Sequence, residues 1–236
     1  MFLGGPYIWM ALCGLVACAL LLDYHLKEEG FPIKTRVRLI AIAGISVLAG
    51  VCVANIGNWF FGNLLEMPLS ARIARAGFTW YPGMLAAMGI LALILWLTKA
   101  DMPLVMHLAA PCYPLFHAFG RLGCAFSGCC YGIVIGAQGQ RVPTQLIEAV
   151  FLIGLFLILE FVVKKNRISV YILAYAAGRF VIEFFRGDDR GSFFPGSPLS
   201  PAQWIAIFSA AAVGCVHAVR AIKNKYSPCR TNKEED

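Results

Sequence analysis

Tyr175, Arg179, Glu183 and Arg186 are spaced so that a helix brings them together. At 3.6 residues per turn they fall at about 0°, 40°, 80° and 20° around the axis, one narrow stripe. The surrounding residues are apolar, and a charged stripe in an apolar helix must face a bundle interior or a wet cavity. Arg179 and Glu183 can pair at i,i+4. Two guanidiniums against one carboxylate leave positive charge over, which suits an anionic ligand. A self-contained ion pair that fixes helix packing is the blander reading.

A second constellation runs from His117 to Gly132, HAFGRLGCAFSGCCYG. Gly120, Gly123, Gly128 and Gly132 permit tight turns and close approach of a ligand. Arg121 stands where helix gives way to irregular backbone, and its planar fork matches phosphate oxygens in a way lysine does not. His117, one turn earlier, can point at the same place. The alternative is a Gly-rich loop with a snorkelling arginine. Arg141-Val142-Pro143-Thr144-Gln145-Leu146-Ile147-Glu148-Ala149 reads as a helix start, where Gln145 and Glu148 are explained by capping and the helix dipole. Cys124, Cys129 and Cys130 lack the paired C-x-x-C spacing of zinc sites and have no obvious histidine partner, so no metal ligands are assigned. They remain open to a disulfide, to nucleophilic chemistry or to a role as small residues in a tight chain. His25, His107 and His217 read as interfacial or packing residues, and Glu160 with Lys164 as an i,i+4 pair.

The elements that must carry these residues are membrane helices. Hydrophobic residues make up 59% of the 236-residue chain and charged ones 14%, against about half and a quarter in soluble domains. The apolar runs do not alternate as barrel strands would, and approach the roughly 20 residues a helix needs to cross a bilayer. The expected fold is an all-α polytopic membrane bundle, one domain over 1–236. Seven spans are expected at 7–22, 37–55, 80–98, 103–119, 146–163, 168–185 and 201–222. Lys99-Ala100-Asp101-Met102-Pro103 and Lys164-Lys165-Asn166-Arg167 make short turns between paired helices. The segment 56–79, with Trp59, Phe60 and Phe61, is expected to lie on the membrane surface, and 223–236 to form a tail. Met1 to Pro6 show no basic signal-peptide region, so the first run is expected to remain as a helix. Cys13, Cys18, Cys52 and Cys215 lie in apolar runs and read as small core residues.

The net charge of +7 does not point to nucleic acid, because there is no basic patch with interleaved aromatics. Thirteen of the twenty Lys and Arg fall in one set of loops and the tail. The positive-inside rule puts that set in the cytoplasm, with the N-terminus outside. Arg72, Arg75, Arg121, Arg141, Arg186 and Arg190 stay on the outer side, where topology alone would not keep them.

In order and spacing these stretches resemble the prolipoprotein diacylglyceryl transferase family. Gly120-Arg121-x-Gly123…Gly128…Gly132 resembles its signature. Pro143-x-Gln145-Leu146-x-Glu148-Ala149, Tyr175-x-x-x-Arg179-x-x-x-Glu183-x-x-Arg186 and Leu199-Ser200-x-x-Gln203 resemble three later segments. Tyr7 matches an N-terminal tyrosine. The resemblance implies a multi-pass protein of the bacterial cytoplasmic membrane with seven helices and no cofactor. Its implied substrates are phosphatidylglycerol and the lipobox cysteine of a prolipoprotein signal peptide. It also implies a phosphate held by Arg121 and Arg179, with Tyr81, Tyr175 and Glu183 in the chemistry. Tyr7, His117, Gly123, Cys124, Gly132, Gln145, Glu148 and Arg186 would line the substrate. The chain departs from the family where His-Gly-Gly reads Tyr81-Pro82-Gly83, and where Asn and Glu of the signature read Cys124 and Cys129. Two other classes stay open: a non-catalytic phospholipid-binding paralogue, and a thiol-redox membrane protein using Cys124, Cys129 and Cys130.

Overall fold

The computed structural model describes residues 5–61, 80–136, 139–187 and 197–226. Eight helices carry them: α1 Pro6–Glu28, α2 Ile33–Phe61, α3 Trp80–Leu97, α4 Met102–Ala109, α5 Cys112–Phe126, α6 Thr144–Leu157, α7 Arg167–Glu183 and α8 Pro201–Tyr226. A π-helical turn, Ile158–Val162, continues α6. The β-structure among the described residues is an exposed two-stranded hairpin, β1 Val134–Ile135 with β2 Gln140–Arg141 in antiparallel register, and a single bridge between Gly132 and Arg186. Among the described residues, four helical stretches are long and apolar enough to cross a membrane: Pro6–Glu28, Ile33–Ile56, Thr144–Val162 and Pro201–Lys223.

The molecule is apolar outside as well as inside. Trp9 is 69%, Val150 70% and Val219 64% exposed, among many other large apolar side chains. Water would penalise so extensive an apolar surface, whereas lipid tails do not. The same logic corrects the reading of the cysteines: Cys13, Cys52 and Cys215 face outward rather than into a core. Cys18 alone of the four is partly buried, its thiol donating to the Cys112 carbonyl at 3.3 Å.

Packing runs in pairs, α1 along α5, α2 along α3, α5 along α6 and α7 along α8. Without a hydrophobic drive between helices in lipid, close backbone approach supplies the contact. Gly50-x-x-x-Ala54 of α2 meets Gly83-x-x-x-Ala87 of α3: a Cβ on Gly50 would lie 2.6 Å from the Gly83 carbonyl, and one on Gly83 2.8 Å from the Ala54 methyl. One core joins α3, α5, α6, α7 and α8 through Tyr81, Met84, Ala118, Leu152, Tyr171 and Ala206. A second joins α1 to α4 through Leu26, Leu39, Leu95 and Val105.

Local chemistry explains the helix ends. Helices α1, α3 and α5 each stop in a Schellman turn, with Gly30 (φ 78°), Lys99 (φ 53°) and Gly128 (φ 67°) as the left-handed residue. The paired bonds of the motif are Phe31 N–H to Leu26 and Gly30 N–H to Lys27, Ala100 N–H to Leu95 and Lys99 N–H to Trp96, and Cys129 N–H to Cys124 and Gly128 N–H to Ala125. Asp101 caps α4, accepting from Leu104 N–H at 3.1 Å, with Pro103 in the first turn as expected. Arg167 reaches back over the turn to the Val163 carbonyl at 2.9 Å and the Glu160 carbonyl at 3.1 Å, satisfying acceptors that the end of the preceding helix leaves open.

Two expectations are corrected. The run 103–119 is two helices, broken at Ala110-Pro111, where proline has no N–H to continue the ladder, and α5 then runs on to Phe126. Trp59, Phe60 and Phe61 fall within the bounds of α2; the rest of the segment expected at the membrane surface, 62–79, and 227–236 lie outside the described residues. Glu160 pairs with His25 Nε2 at 2.9 Å, not with Lys164. His25 Nδ1 also meets the Leu108 carbonyl at 3.0 Å, so this histidine is a buried polar link between α1, α4 and the π turn.

Candidate functional site

Glu148 is the centre. It lies in the second turn of α6, is fully buried (0% exposed), and is met from two other helices. Arg121 of α5 approaches Oε1 with Nη2 at 3.1 Å, and Arg179 of α7 approaches Oε2 with Nη1 at 3.3 Å. The Tyr175 hydroxyl donates to Oε1 at 3.2 Å. Arg179 turns its other Nη to Glu183 at i,i+4, the pairing its spacing implied. His117 Nε2 accepts from Arg121 Nε–H at 3.3 Å, so that nitrogen carries no proton and its 3.7 Å approach to Glu148 is not an ion pair.

The helices deliver these groups by simple periodicity. His117, Arg121 and Cys124 lie on one face of α5; Gln145 and Glu148 on one face of α6; Tyr171, Tyr175, Arg179 and Glu183 at successive turns of α7. Arg186 follows α7, buried, where its backbone bridges to Gly132. Among the described residues of this cluster, three buried guanidiniums, Arg121, Arg179 and Arg186, stand against two buried carboxylates, Glu148 and Glu183. Charges this deep persist only when paired and hydrogen-bonded, and a guanidinium has five N–H donors, more than one carboxylate takes up.

An aromatic wall closes one side. Tyr81 of α3 lies 5.4 Å from the Tyr175 ring, and Tyr171 stacks between Tyr175 at 6.0 Å and Tyr113 at 5.7 Å. The Tyr171 hydroxyl donates to Met84 sulfur at 3.1 Å. The Tyr81 hydroxyl is buried and has no hydrogen-bond partner among the described residues.

Other residues singled out from the sequence hold the frame. A Cβ on Gly123 would sit 2.9 Å from the Tyr7 ring, and one on Gly132 2.6 Å from the carbonyls of Val142 and Phe185. These two glycines thus face the chain's own neighbours, and Tyr7 packs α1 onto α5. Gln145 donates to the Cys129 carbonyl at 2.6 Å and ties α6 to the loop after α5. Ser200 and Gln203 form a capping box at the start of α8, Ser200 N–H to Gln203 Oε1 at 2.9 Å and Gln203 N–H to Ser200 Oγ at 3.3 Å. Tyr171 was missed in the sequence, although extending the α7 stripe by one turn toward the N-terminus finds it. The weight carried by Glu148 was also underread, since capping accounts for a carboxylate near a helix start.

The family model for prolipoprotein diacylglyceryl transferase matches residues 6–219. The chain belongs to that family. Its relatives include the phosphatidylglycerol–prolipoprotein diacylglyceryl transferase of Clostridium tetani, 30% identical over 85% of this chain and 86% of the relative. Another, named phosphatidylglycerol–prolipoprotein diacylglyceryl transferase 2, from Clostridium perfringens, is 30% identical over 86% and 85%. The similarity to the enzyme of Pseudoalteromonas translucida, also 30% identical, covers 61% of each chain. The diacylglyceryl transferase match runs from the start of α1 into α8 and takes in every charged residue of the Glu148 cluster.

Proposed function

We propose that this chain transfers a diacylglyceryl group from phosphatidylglycerol to the thiol of a prolipoprotein cysteine, releasing glycerol phosphate. The observation that carries the reading is the convergence of Arg121 and Arg179, from different helices, on one fully buried carboxylate. In the reaction the cysteine sulfur forms a bond to the terminal glyceryl carbon as that carbon's bond to the phosphate oxygen breaks. The bonding pair leaves with the phosphate, and the thiol proton is released. Negative charge grows on the leaving phosphate, and guanidiniums already fixed in a dry site stabilise it without reorganising. Holding both substrates in one pocket supplies a further share of the rate.

Glu148 is a positioning residue in this scheme: it aims Arg121 and Arg179 while their remaining donors take the phosphate. On the thiol side, His117 is engaged by Arg121 and Glu183 by Arg179. The Tyr81 hydroxyl, unpartnered among the described residues, is the group we place against the acceptor cysteine. Gln145 and Arg186 line the same end, with Tyr7 and Cys124 beside them.

We further read the chain as crossing the bacterial cytoplasmic membrane seven times, with the N-terminus outside and the C-terminus in the cytoplasm. The Lys and Arg asymmetry supports that orientation. The broken pair α4–α5 would serve as one crossing, with α3 and α7 as two more. The test is incubation of the purified protein with phosphatidylglycerol and a lipobox peptide, read by mass spectrometry. Diacylglyceryl mass on the peptide cysteine supports the transferase. Phosphatidylglycerol retained with no transfer would make the chain a lipid-binding relative.

A further inference from the structure

The end of α5 and the loop after it gather three thiols to which the transfer scheme gives no chemical step. The Sγ atoms of Cys124, Cys129 and Cys130 all lie within 4.8 Å of one another, and all three are free cysteines. The sequence spacing spoke against a metal because it lacks paired C-x-x-C knuckles, but the backbone achieves the convergence differently. The Schellman turn that ends α5 folds the second residue past the cap onto the third from the end of the helix, a contact usually made by two apolar side chains. Here those positions are Cys129 and Cys124, joined by the Cys129 N–H to Cys124 carbonyl bond at 3.2 Å. Cys130 then adopts a left-handed φ of 61°, rare outside glycine, and this brings its sulfur to the same point. Two donors from the first turn of α6 hold the arrangement: Thr144 Oγ1 on the Cys130 carbonyl at 3.0 Å and Gln145 Nε2 on the Cys129 carbonyl at 2.6 Å.

We propose that Cys124, Cys129 and Cys130 form a three-thiolate site for a thiophilic d10 cation of the Zn2+ kind, with its fourth position open toward the loop surface. At a metal–sulfur distance of about 2.3 Å, tetrahedral or trigonal ligation sets the sulfurs roughly 3.8–4.0 Å apart, a separation that falls inside the 4.8 Å within which the three Sγ atoms lie. A disulfide would join only two of the three. The vicinal pair is also a poor candidate, because adjacent Cα atoms across a trans peptide are about 3.8 Å apart, below the usual disulfide range. Three thiolates on a divalent ion carry one net negative charge, and Arg121, one turn before Cys124 on the same face of α5, complements it. Each thiol loses its proton to solvent on binding.

The test uses the full chain, purified in detergent under reductant, stripped with chelator and titrated anaerobically with Co2+ as the optical probe. A thiolate-to-cobalt charge-transfer band saturating at one ion per chain and bleached by Zn2+ is expected. It should be lost in Cys129→Ser and Cys130→Ser and kept in Cys13→Ser and Cys215→Ser. Because a variant can fail for want of folding, wild-type protein is also alkylated with and without Zn2+. Peptide mapping should show Zn2+ protecting Cys124, Cys129 and Cys130 while leaving Cys215 reactive. Absence of the band in wild type, a band that survives both loop variants, or equal alkylation with and without Zn2+ would overturn the site. So would a mapped Cys124–Cys129 disulfide in the isolated protein that, once reduced, binds no cobalt; that outcome would make the loop a redox pair. None of these readouts depends on lipid transfer.

Discussion

Arg121 and Arg179 approach the two oxygens of Glu148 from different helices, and under the proposed reaction both are needed. Arg179→Ala removes donors aimed where the leaving phosphate gathers charge, and by analogy with loss of an oxyanion donor, turnover should fall about 100- to 1000-fold. Arg121→Lys is nearly as informative, because it keeps the charge and loses the fork that reaches His117 and Glu148 together. Transfer to a lipobox peptide should drop sharply in both, with phosphatidylglycerol binding weakened in parallel. Equal activity in Arg121→Lys would mean that a point charge suffices. Tyr81→Phe separates the thiol side from the phosphate side. Its hydroxyl has no partner among the described residues, so removing it should leave thermal stability unchanged or slightly raised. If the hydroxyl meets the acceptor, transfer slows while phosphatidylglycerol affinity holds. Unchanged kinetics would return the thiol side to His117 or Glu183.

At the scale of elements, the α2–α3 crossing sets the position of Tyr81, two residues before the glycine at the contact. Gly83→Ala would put a methyl 2.8 Å from the Ala54 methyl and 2.9 Å from the Gly50 carbonyl. Forcing these backbones apart should cost about 1–3 kcal/mol, and the displaced Tyr81 should lower transfer as well. Gly89→Ala, on the same helix with nothing within 4 Å of the new methyl, should do neither. A thermal melt in detergent, paired with the transfer assay, reads both effects; loss in Gly89→Ala as well, against the gain in helix propensity that alanine brings, would point to lipid contact rather than the crossing. This scale also separates what the sequence makes visible from what it hides. The α7 stripe was legible because 3.6-residue periodicity alone puts Tyr175, Arg179 and Glu183 together. The turn at Asp101-Met102-Pro103 was legible from proline chemistry. The partner of Glu160 and the meeting of Glu148 with two arginines depend on which helices pack together, and no local spacing encodes that; the gathering of three thiols depends on the left-handed turn at Gly128 and Cys130, which residue spacing alone does not announce. The break at Pro111 was written in the sequence and overridden by the apolar length of the run.

The whole molecule is organised around opposite demands at its two ends. One end holds the Lys-rich turns, the π turn with its His25–Glu160 link, and Arg167 folded over the helix ends, all of which are structural. The other end holds Arg121, Arg186, the thiol loop and the α6 start, where backbone leaves helix and polar groups converge. If the positive-inside rule orients the chain, the second end faces outward, the side on which a secreted prolipoprotein would present its cysteine. Reporter fusions decide this directly. A reporter active only outside the cytoplasm should be silent when fused after Tyr226 and active when inserted in the β1–β2 turn at Gly136. A reporter that fluoresces only in the cytoplasm should give the reverse pattern. The opposite result at both points would invert the topology, place the Glu148 cluster on the cytoplasmic side, and leave the proposed acceptor unable to reach Tyr81. That outcome would overturn the prolipoprotein assignment even if the guanidiniums still bound phosphatidylglycerol, because lipid is available from either leaflet and a translocated cysteine is not.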